Sequence, residues 1–200
     1  MRTAAILAGG QARRFSGQPK PLLPIGTQRI IDRQMAVLNS VAEHLAIVAN
    51  DRVRYGAFGV PVWQDLAPGA GPLGGIYTAL KNTTTAQTLV VAGDLPFLTA
   101  PFLQHLVCVC EDADVVIPRM PDGFQPLCAV YARRCTEIIR HQIKAGTLKV
   151  TDVLSKLDVR EVGPDEIAHF DPTGTLFFNI NTPDDYQTAL TLASTRLTLS

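Results

Sequence analysis

The chain has 200 residues, 46% of them hydrophobic and 18% charged, with 18 basic side chains against 18 acidic ones. That length suits one domain with a sizeable core, and the composition excludes a disordered chain or a coiled coil. A net charge of zero disfavours a polybasic nucleic-acid binder or a polyanion mimic.

In chain order, Thr3-Ala4-Ala5-Ile6-Leu7-Ala8 is a continuous apolar run of the kind a strand buried on both faces requires. Gly9-Gly10 and Arg13-Arg14 follow it directly, which argues against a signal peptide. Ile30, Ile31, Met35, Leu38 and Ala42 recur at helical spacing. Residues 45–49 and 88–92 are further strand-like runs. Phe102, Leu103, Leu106, Val107 and Cys110 form a helical face after Thr99, its predicted cap. Residues 115–117 and 128–131 read as strands. Cys135, Ile138, Ile139 and Ile143 read as a helix that Gly146 stops. Thr182-Pro183-Asp184-Asp185 reads as N-cap, first-turn proline and acidic first turn of a last helix running through Ala193.

No apolar run approaches the ~20 residues of a membrane span. Cys108, Cys110, Cys128 and Cys135 form no Cys-x-x-Cys pair, and each lies in an apolar run, so buried reduced thiols are expected. The reading is a soluble, cytoplasmic protein with no nucleic-acid or membrane partner.

Strands alternating with helices predict an α/β fold. It is a three-layer, Rossmann-like sandwich with a mostly parallel central sheet, built as a single domain over residues 1–200. Ligands bind such sheets at the carboxyl ends of the strands, and the unusual motifs all fall there. The first is residues 7–20, Leu-Ala-Gly-Gly-Gln-Ala-Arg-Arg-Phe-Ser-Gly-Gln-Pro-Lys. Its glycines let backbone N–H groups approach an anion or a base, and Arg13, Arg14 and Lys20 suit a polyphosphate. It is neither the dinucleotide fingerprint nor a Walker A loop.

Residues 1–34 hold Arg2, Arg13, Arg14, Lys20, Arg29 and Arg33 against one acid, Asp32, whereas residues 65–118 hold Asp65, Asp94, Glu111, Asp112 and Asp114 against one base, Lys81. A cationic loop facing an acidic strand end suits a phosphate held between side-chain cations and a metal. Asp94 directly follows a buried strand, where a carboxylate can bind Mg²⁺ together with phosphate oxygens. The glycine-rich loop at 65–76 precedes a helix, so it can admit a flat base or aim a helix N-terminus at an anion. Strand alternation puts Asn179 and Asn181 on one side of their segment. Each motif alone also has a plain structural account, as a solvated loop, a turn, a strand-to-helix connection or a helix cap.

Together, and in this order, the motifs resemble those of the molybdenum cofactor guanylyltransferases, a branch of the nucleotidyltransferases. The finger is similar to Leu-Ala-Gly-Gly…Arg-Met-Gly…Lys, with Phe15-Ser16 in place of Met-Gly. The others resemble Asp…Gly-Pro-Leu-Ala-Gly, Asp-x-Pro and Asn-x-Asn-Thr-Pro, and 123–131 resembles a Gln-Pro-Leu-x-Ala-x-Tyr strand. Gly93 stands where the family often has cysteine, an exchange that by sequence alone should matter little.

The resemblance implies a fold of the nucleotide-diphospho-sugar-transferase type, with a nucleotide-binding half at about 1–100 and an acceptor-binding half at about 101–194. It implies transfer of GMP from GTP to molybdopterin or Mo-molybdopterin, with release of pyrophosphate and with Mg²⁺ as cofactor. It assigns Arg14, Lys20 and Asp94 to catalysis. Leu7, Ala8, Gly9, Gly10, Lys20, Asn50, Asp65, Gly71, Pro72, Leu73 and Asp94 go to the nucleotide, Asp94 to the metal, and Asn179 and Asn181 to the acceptor. Other cofactor-biosynthesis proteins or apo-molybdoenzymes are the further partners it suggests. Two alternatives stand beside it. One is cytidylyl transfer to molybdopterin or transfer to another small acceptor; relatives of the cytidylyl kind usually read Leu-Ala-Ala-Gly, so Gly9-Gly10 favours guanine. The other is a non-catalytic nucleotide-binding regulator.

Overall fold

The computed structural model describes residues 1–9, 15, 17–110 and 112–197, the last two without their side chains. The apolar runs form the middle of the sheet. Strand β1 (Thr3–Leu7) is followed by a small hairpin, β2 (Pro24–Ile25) and β3 (Gln28–Arg29), then by β4 (His44–Val48), β5 (Val62–Trp63) and β6 (Gln87–Ala92). The second half adds β7 (Val115–Met120), β8 (Gly123–Phe124), β9 (Cys128–Ala132) and β10 (Val159–Val162). Among the described residues the sheet order is β10-β7-β9-β6-β1-β4-β5, with β8 paired to β7. β1 runs parallel to both β4 and β6, and β10 runs parallel to β7.

Two strands of this sheet break the parallel pattern: the short β8, antiparallel to β7, and β9, antiparallel to both β6 and β7. Chain length explains it. Only residues 121–127 join β7 to β9, too few for the crossover of about a dozen residues that a parallel pair needs. The short strands β5 and β10 have no counterpart in the sequence reading. Their burial is partial, so neither produces a continuous apolar run.

Period-two alternation divides β1 between the two faces of the sheet. Ala4 and Ile6 face one side, where helices α1 (Ile30–Leu38) and α4 (Ala100–Cys108) bury Ile31, Leu38, Phe102, Leu103 and Leu106. Ala5 faces the other, where α3 (Gly71–Asn82), α5 (Cys135–Lys144) and α6 (Val150–Leu154) bury Leu73, Ile76, Leu80, Ile139 and Val153. The result is the expected three layers. Helix α2 (Arg52–Gly56) follows β4, and α7 (Pro164–Ala168) follows β10. The last helix, α8 (Pro183–Leu197), covers the β2–β3 hairpin through a third cluster containing Ile25, Ile30, Phe97, Ala189 and Ala193.

The predicted helix signals differ in how they operate. Gly146, at φ 75°, ends α5 as predicted. Its N–H donates to the Ile143 carbonyl at 3.1 Å and the Thr147 N–H to that of Gln142 at 3.0 Å, the paired bonds of a Schellman motif. Thr99 does stand at the N-terminus of α4, but its buried hydroxyl has no partner among the described residues, so it caps through its carbonyl alone, from the Leu103 N–H at 3.2 Å. The strand expected at Asn179 and Asn181 is corrected: residues 176–181 are irregular backbone. The Phe178 N–H turns back to the Thr175 carbonyl and the Ile180 N–H reaches the Asp94 carbonyl, so no ladder forms.

The cysteines also divide. Cys110, Cys128 and Cys135 are buried free thiols, and burial pushes the Cys135 thiol up to about 12. Cys108, expected inside, is exposed because it ends α4 on the outer side of that helix. No helix among the described residues is long and apolar enough to cross a membrane.

The start of α8 bears on the site described below. The Thr182 hydroxyl accepts the Asp185 N–H at 3.1 Å, and the Asp185 carboxylate accepts the N–H groups of Asn181 and Thr182, each at 2.8 Å. This is a reciprocal capping box, and those two backbone donors hold the Asp185 carboxyl below the usual carboxylate range. Thr182→Ala is expected to cost about 1 kcal/mol of unfolding free energy, read from the midpoint shift in urea.

Candidate functional site

The carboxyl ends of β1, β4 and β6 open into a cleft of about 640 Å³. A smaller hollow of about 290 Å³ lies at the opposite end of the sheet, beside Thr3, His44 and Trp63, and holds none of the motif residues.

The cleft floor is set by backbone bonds between strand ends. The Leu7 carbonyl accepts the Gly93 N–H at 3.0 Å, and the Ala8 N–H donates to the Val48 carbonyl at 2.9 Å. The buried Tyr55 hydroxyl donates to the Ala8 carbonyl at 3.3 Å, and burial pushes that phenol up to about 12. Leu7 and Ala8 therefore use their peptide groups largely to join β1 to its neighbours. Gly9 lies beyond them against open space, with nothing within 4 Å of where a side chain would begin. Gly10 and Arg14 lie outside the described residues.

One wall is the loop leading into α3. The Asn50 side-chain oxygen accepts the Asp65 N–H at 3.2 Å, and the Asp65 carboxylate accepts the Ala67 N–H at 2.9 Å. Thr78 accepts the Leu66 N–H at 2.9 Å and donates to the Gly74 carbonyl at 2.8 Å. Thr78 was not visible as a site residue in the sequence; a threonine within a helix carries no signal until the loop folds back onto it. Gly69 and Gly71 sit at φ 88° and 58°, backbone angles that favour glycine. Gly71 and Pro72 line the cleft, whereas Leu73 is fully buried in the core beneath α3.

The opposite wall carries the charge. The turn after β6 presents Asp94, and the 3₁₀ turn Lys20–Leu22 presents Lys20. The Lys20 ammonium is 3.2 Å from Asp94 Oδ2 and donates to Asn181 Oδ1 at 2.8 Å. Three chain segments thus meet at one cation, which is three-quarters buried. Asn179 does not join them; its amide donates to the Phe177 carbonyl at 3.1 Å.

Among the described residues no three His, Cys, Asp or Glu side chains gather around a common point. Of the two carboxylates that line the cleft among the described residues, Asp65 is engaged by the Ala67 N–H, so the ligand a metal would meet is Asp94. That set fits Mg²⁺, which usually takes one or two carboxylates and fills its octahedron with phosphate oxygens and water.

Residues 4–160 match the family described as the MobA-like NTP transferase domain. The chain is 35% identical over 188 residues to a molybdenum cofactor guanylyltransferase of Desulfosudis oleivorans, covering 94% of this chain and 93% of that one. It belongs to the MobA-like NTP transferases, in the molybdenum cofactor guanylyltransferase branch. A probable member from Pelotomaculum thermopropionicum is 36% identical over 191 residues, covering 96% and 93% of the two chains. The molybdopterin-guanine dinucleotide biosynthesis protein A from Archaeoglobus fulgidus superposes with a TM-score of 0.83 at 28% identity, over 96% and 99% of the two chains. The fold is of the nucleotide-diphospho-sugar-transferase type.

Within this family frame Gly93 matters more than its sequence context suggests. A Cβ there would stand 2.6 Å from Pro21 Cγ and 3.1 Å from the Leu7 carbonyl oxygen. Pro21 adjoins Lys20, so the missing side chain lets Lys20 approach Asp94. Gly93→Ala is expected to push Pro21 away and weaken binding of a nucleoside triphosphate about tenfold, the scale of one charge-assisted contact. Pro21→Ala in the same chain removes the clashing Cγ and should restore most of that affinity, measured by calorimetry.

Proposed function

We propose that this chain transfers GMP from GTP to molybdopterin, giving the guanine dinucleotide form of the cofactor and pyrophosphate. The observation that carries the reading is the meeting of Lys20, Asp94 and Asn181 beside a glycine-lined cleft at the end of a parallel sheet.

The chemistry asks little of a general base. A phosphate monoester is already anionic near neutral pH, since its second pKa is about 6, and the acceptor's terminal phosphate can attack the α-phosphate directly. What remains is positioning and neutralisation of charge. Lys20 supplies a partly desolvated cation for the triphosphate, and Arg14 is assigned to the charge that develops on the leaving pyrophosphate. Mg²⁺ at Asp94 would supply further positive charge at the phosphate oxygens. Asn181 comes from the acceptor half of the chain and touches Lys20 from the nucleotide half, so the reacting centre falls where the halves at about 1–100 and 101–194 meet. We assign Asn181 to the acceptor side on this basis and on the family pattern, and Asn179 on the family pattern alone.

The base is assigned to the 7–10 and 65–75 loops, with Asn50 and Asp65 beside the nucleoside. Guanine offers an N1–H and a 2-amino group, both donors that adenine lacks. Carboxylate and carbonyl acceptors in these loops would be left unpaired by ATP, at roughly 1–3 kcal/mol per group. The free thiols suit a reducing cytoplasm, and Mo-molybdopterin, cofactor-biosynthesis proteins and apo-molybdoenzymes are the partners this reaction implies.

A panel of nucleotides with Mg²⁺ and molybdopterin, read by mass detection of the dinucleotide, tests the assignment. GTP should be used, and ATP should bind at least about tenfold more weakly. Preferred use of CTP would move the chain to cytidylyl transfer, and binding without product would make it a regulator. Asp94→Asn keeps the side chain's shape but removes its charge. Transfer should fall about tenfold to a hundredfold, and near-native turnover at limiting Mg²⁺ would take Asp94 out of the metal role.

A further inference from the structure

Gln34 lies in the middle of α1 and is 1% exposed. Its Nε2 donates to two carbonyls, Ala92 at 2.7 Å and Leu95 at 3.0 Å. These carbonyls flank Asp94 on either side. The rest of the turn's main chain is held by backbone bonds, Ala92 N–H to the Leu127 carbonyl at 2.7 Å, Gly93 N–H to the Leu7 carbonyl at 3.0 Å and Ile180 N–H to the Asp94 carbonyl at 3.2 Å, while Lys20 reaches the Asp94 carboxylate and not the backbone. Gln34 therefore supplies the side-chain clamp on the turn that aims the carboxylate.

The orientation of the amide follows from its partners. Two carbonyl oxygens need two N–H donors, which a glutamine amide has on one nitrogen; turning the amide over would set three oxygens against one another. The arrangement carries a cost. Gln34 Oε1 is buried without a partner among the described residues. A leucine at this place would pack against the same core but would take the donor away from the Ala92 and Leu95 carbonyls, so the glutamine is there for the turn's backbone and not for packing.

We propose that Gln34 is a positioning residue for Asp94, its buried amide clamping the 92–95 turn so that the carboxylate meets a divalent cation in a fixed geometry. The proposal rests on the reading of Asp94 as the cation's ligand. Gln34 touches neither substrate nor cation, and its effect passes through the turn.

The test uses Gln34→Met, which keeps length and bulk but donates nothing. Mn²⁺ serves as the probe, its binding to the GTP-loaded protein followed by electron paramagnetic resonance. Amide hydrogen exchange at Ala92 and Gly93, whose N–H groups are bonded to the Leu127 and Leu7 carbonyls, is read separately in the metal-free protein. The Mn²⁺ dissociation constant should rise at least about fivefold and exchange at both amides should quicken about tenfold, as loss of two buried hydrogen bonds implies. GTP affinity measured with chelator should stay within about twofold. In Gln34→Met/Asp94→Asn, Mn²⁺ binding should be no weaker than in Asp94→Asn alone, whereas a merely structural role makes the two losses add.

Weakened Mn²⁺ binding in Asp94→Asn but native binding in Gln34→Met would overturn the positioning role and leave the metal reading standing. Native Mn²⁺ binding in Asp94→Asn would overturn both. If Gln34→Met fails to fold, Gln34→Asn decides, its amide being one methylene too short to keep both carbonyl contacts. Weakened Mn²⁺ binding in that variant supports the clamp, and native Mn²⁺ binding overturns it.

Discussion

The contact between Lys20 and Asp94 is the constraint on which the cleft's geometry depends. A cation and a carboxylate 3.2 Å apart, both about three-quarters buried, have given up much of their hydration. They hold that position only because rigid elements bring them there. Asp94 is carried on the end of a central strand, and Lys20 on a turn between two prolines. Gly93 has no side chain to hold these elements apart. The Asn181 oxygen completes the set as an uncharged acceptor for the ammonium. In the proposed function this ammonium would be the cation that meets a triphosphate, and the carboxylate beside it the ligand for a metal.

The last helix contributes to the site by an indirect route. The capping box at its start fixes the backbone N–H of Asn181, while the Ile180 N–H is held by the Asp94 carbonyl. Asn181 is therefore anchored from both sides without belonging to a strand. The two structural readings of Asn-x-Asn-Thr-Pro, helix cap and ligand contact, do not compete here. Thr182 and Asp185 do the capping, and the capped backbone is what delivers the Asn181 side chain to Lys20. Asn179 is oriented differently, toward its own local backbone.

Buried polar bonds make the cleft walls stiff. Tyr55 holds Ala8, Thr78 holds the 65–75 loop, and Gln34 holds the turn around Asp94. Each acts on backbone next to a residue assigned to substrate, so the energetic role is preorganisation: groups already fixed need little reorganisation as charge moves. None of the three carries a recognisable motif. A tyrosine in a five-residue helix, a threonine inside a helix and a glutamine on an apolar helix face acquire meaning only from the backbone groups they reach.

The sequence by itself determined the layers, the parallel centre of the sheet and the loops that line the cleft. The runs at β1, β4 and β6 are continuous because both faces are buried, and the glycines, prolines and carboxylates at their ends are local signals that need no partner to be read. It also determined the last helix, since Thr182, Pro183 and Asp185 act within a few residues of one another. Tertiary structure alone decided the rest. The direction of β9 follows from how short its connection is, and the partly buried β5 and β10 form because a sheet edge is there to receive them. The irregular course of 176–181 follows from a bond to Asp94 rather than a ladder. Above all, the grouping of Lys20, Asp94 and Asn181 spans most of the chain. Their pairing depends on distances between elements far apart in sequence, and no local pattern encodes such distances.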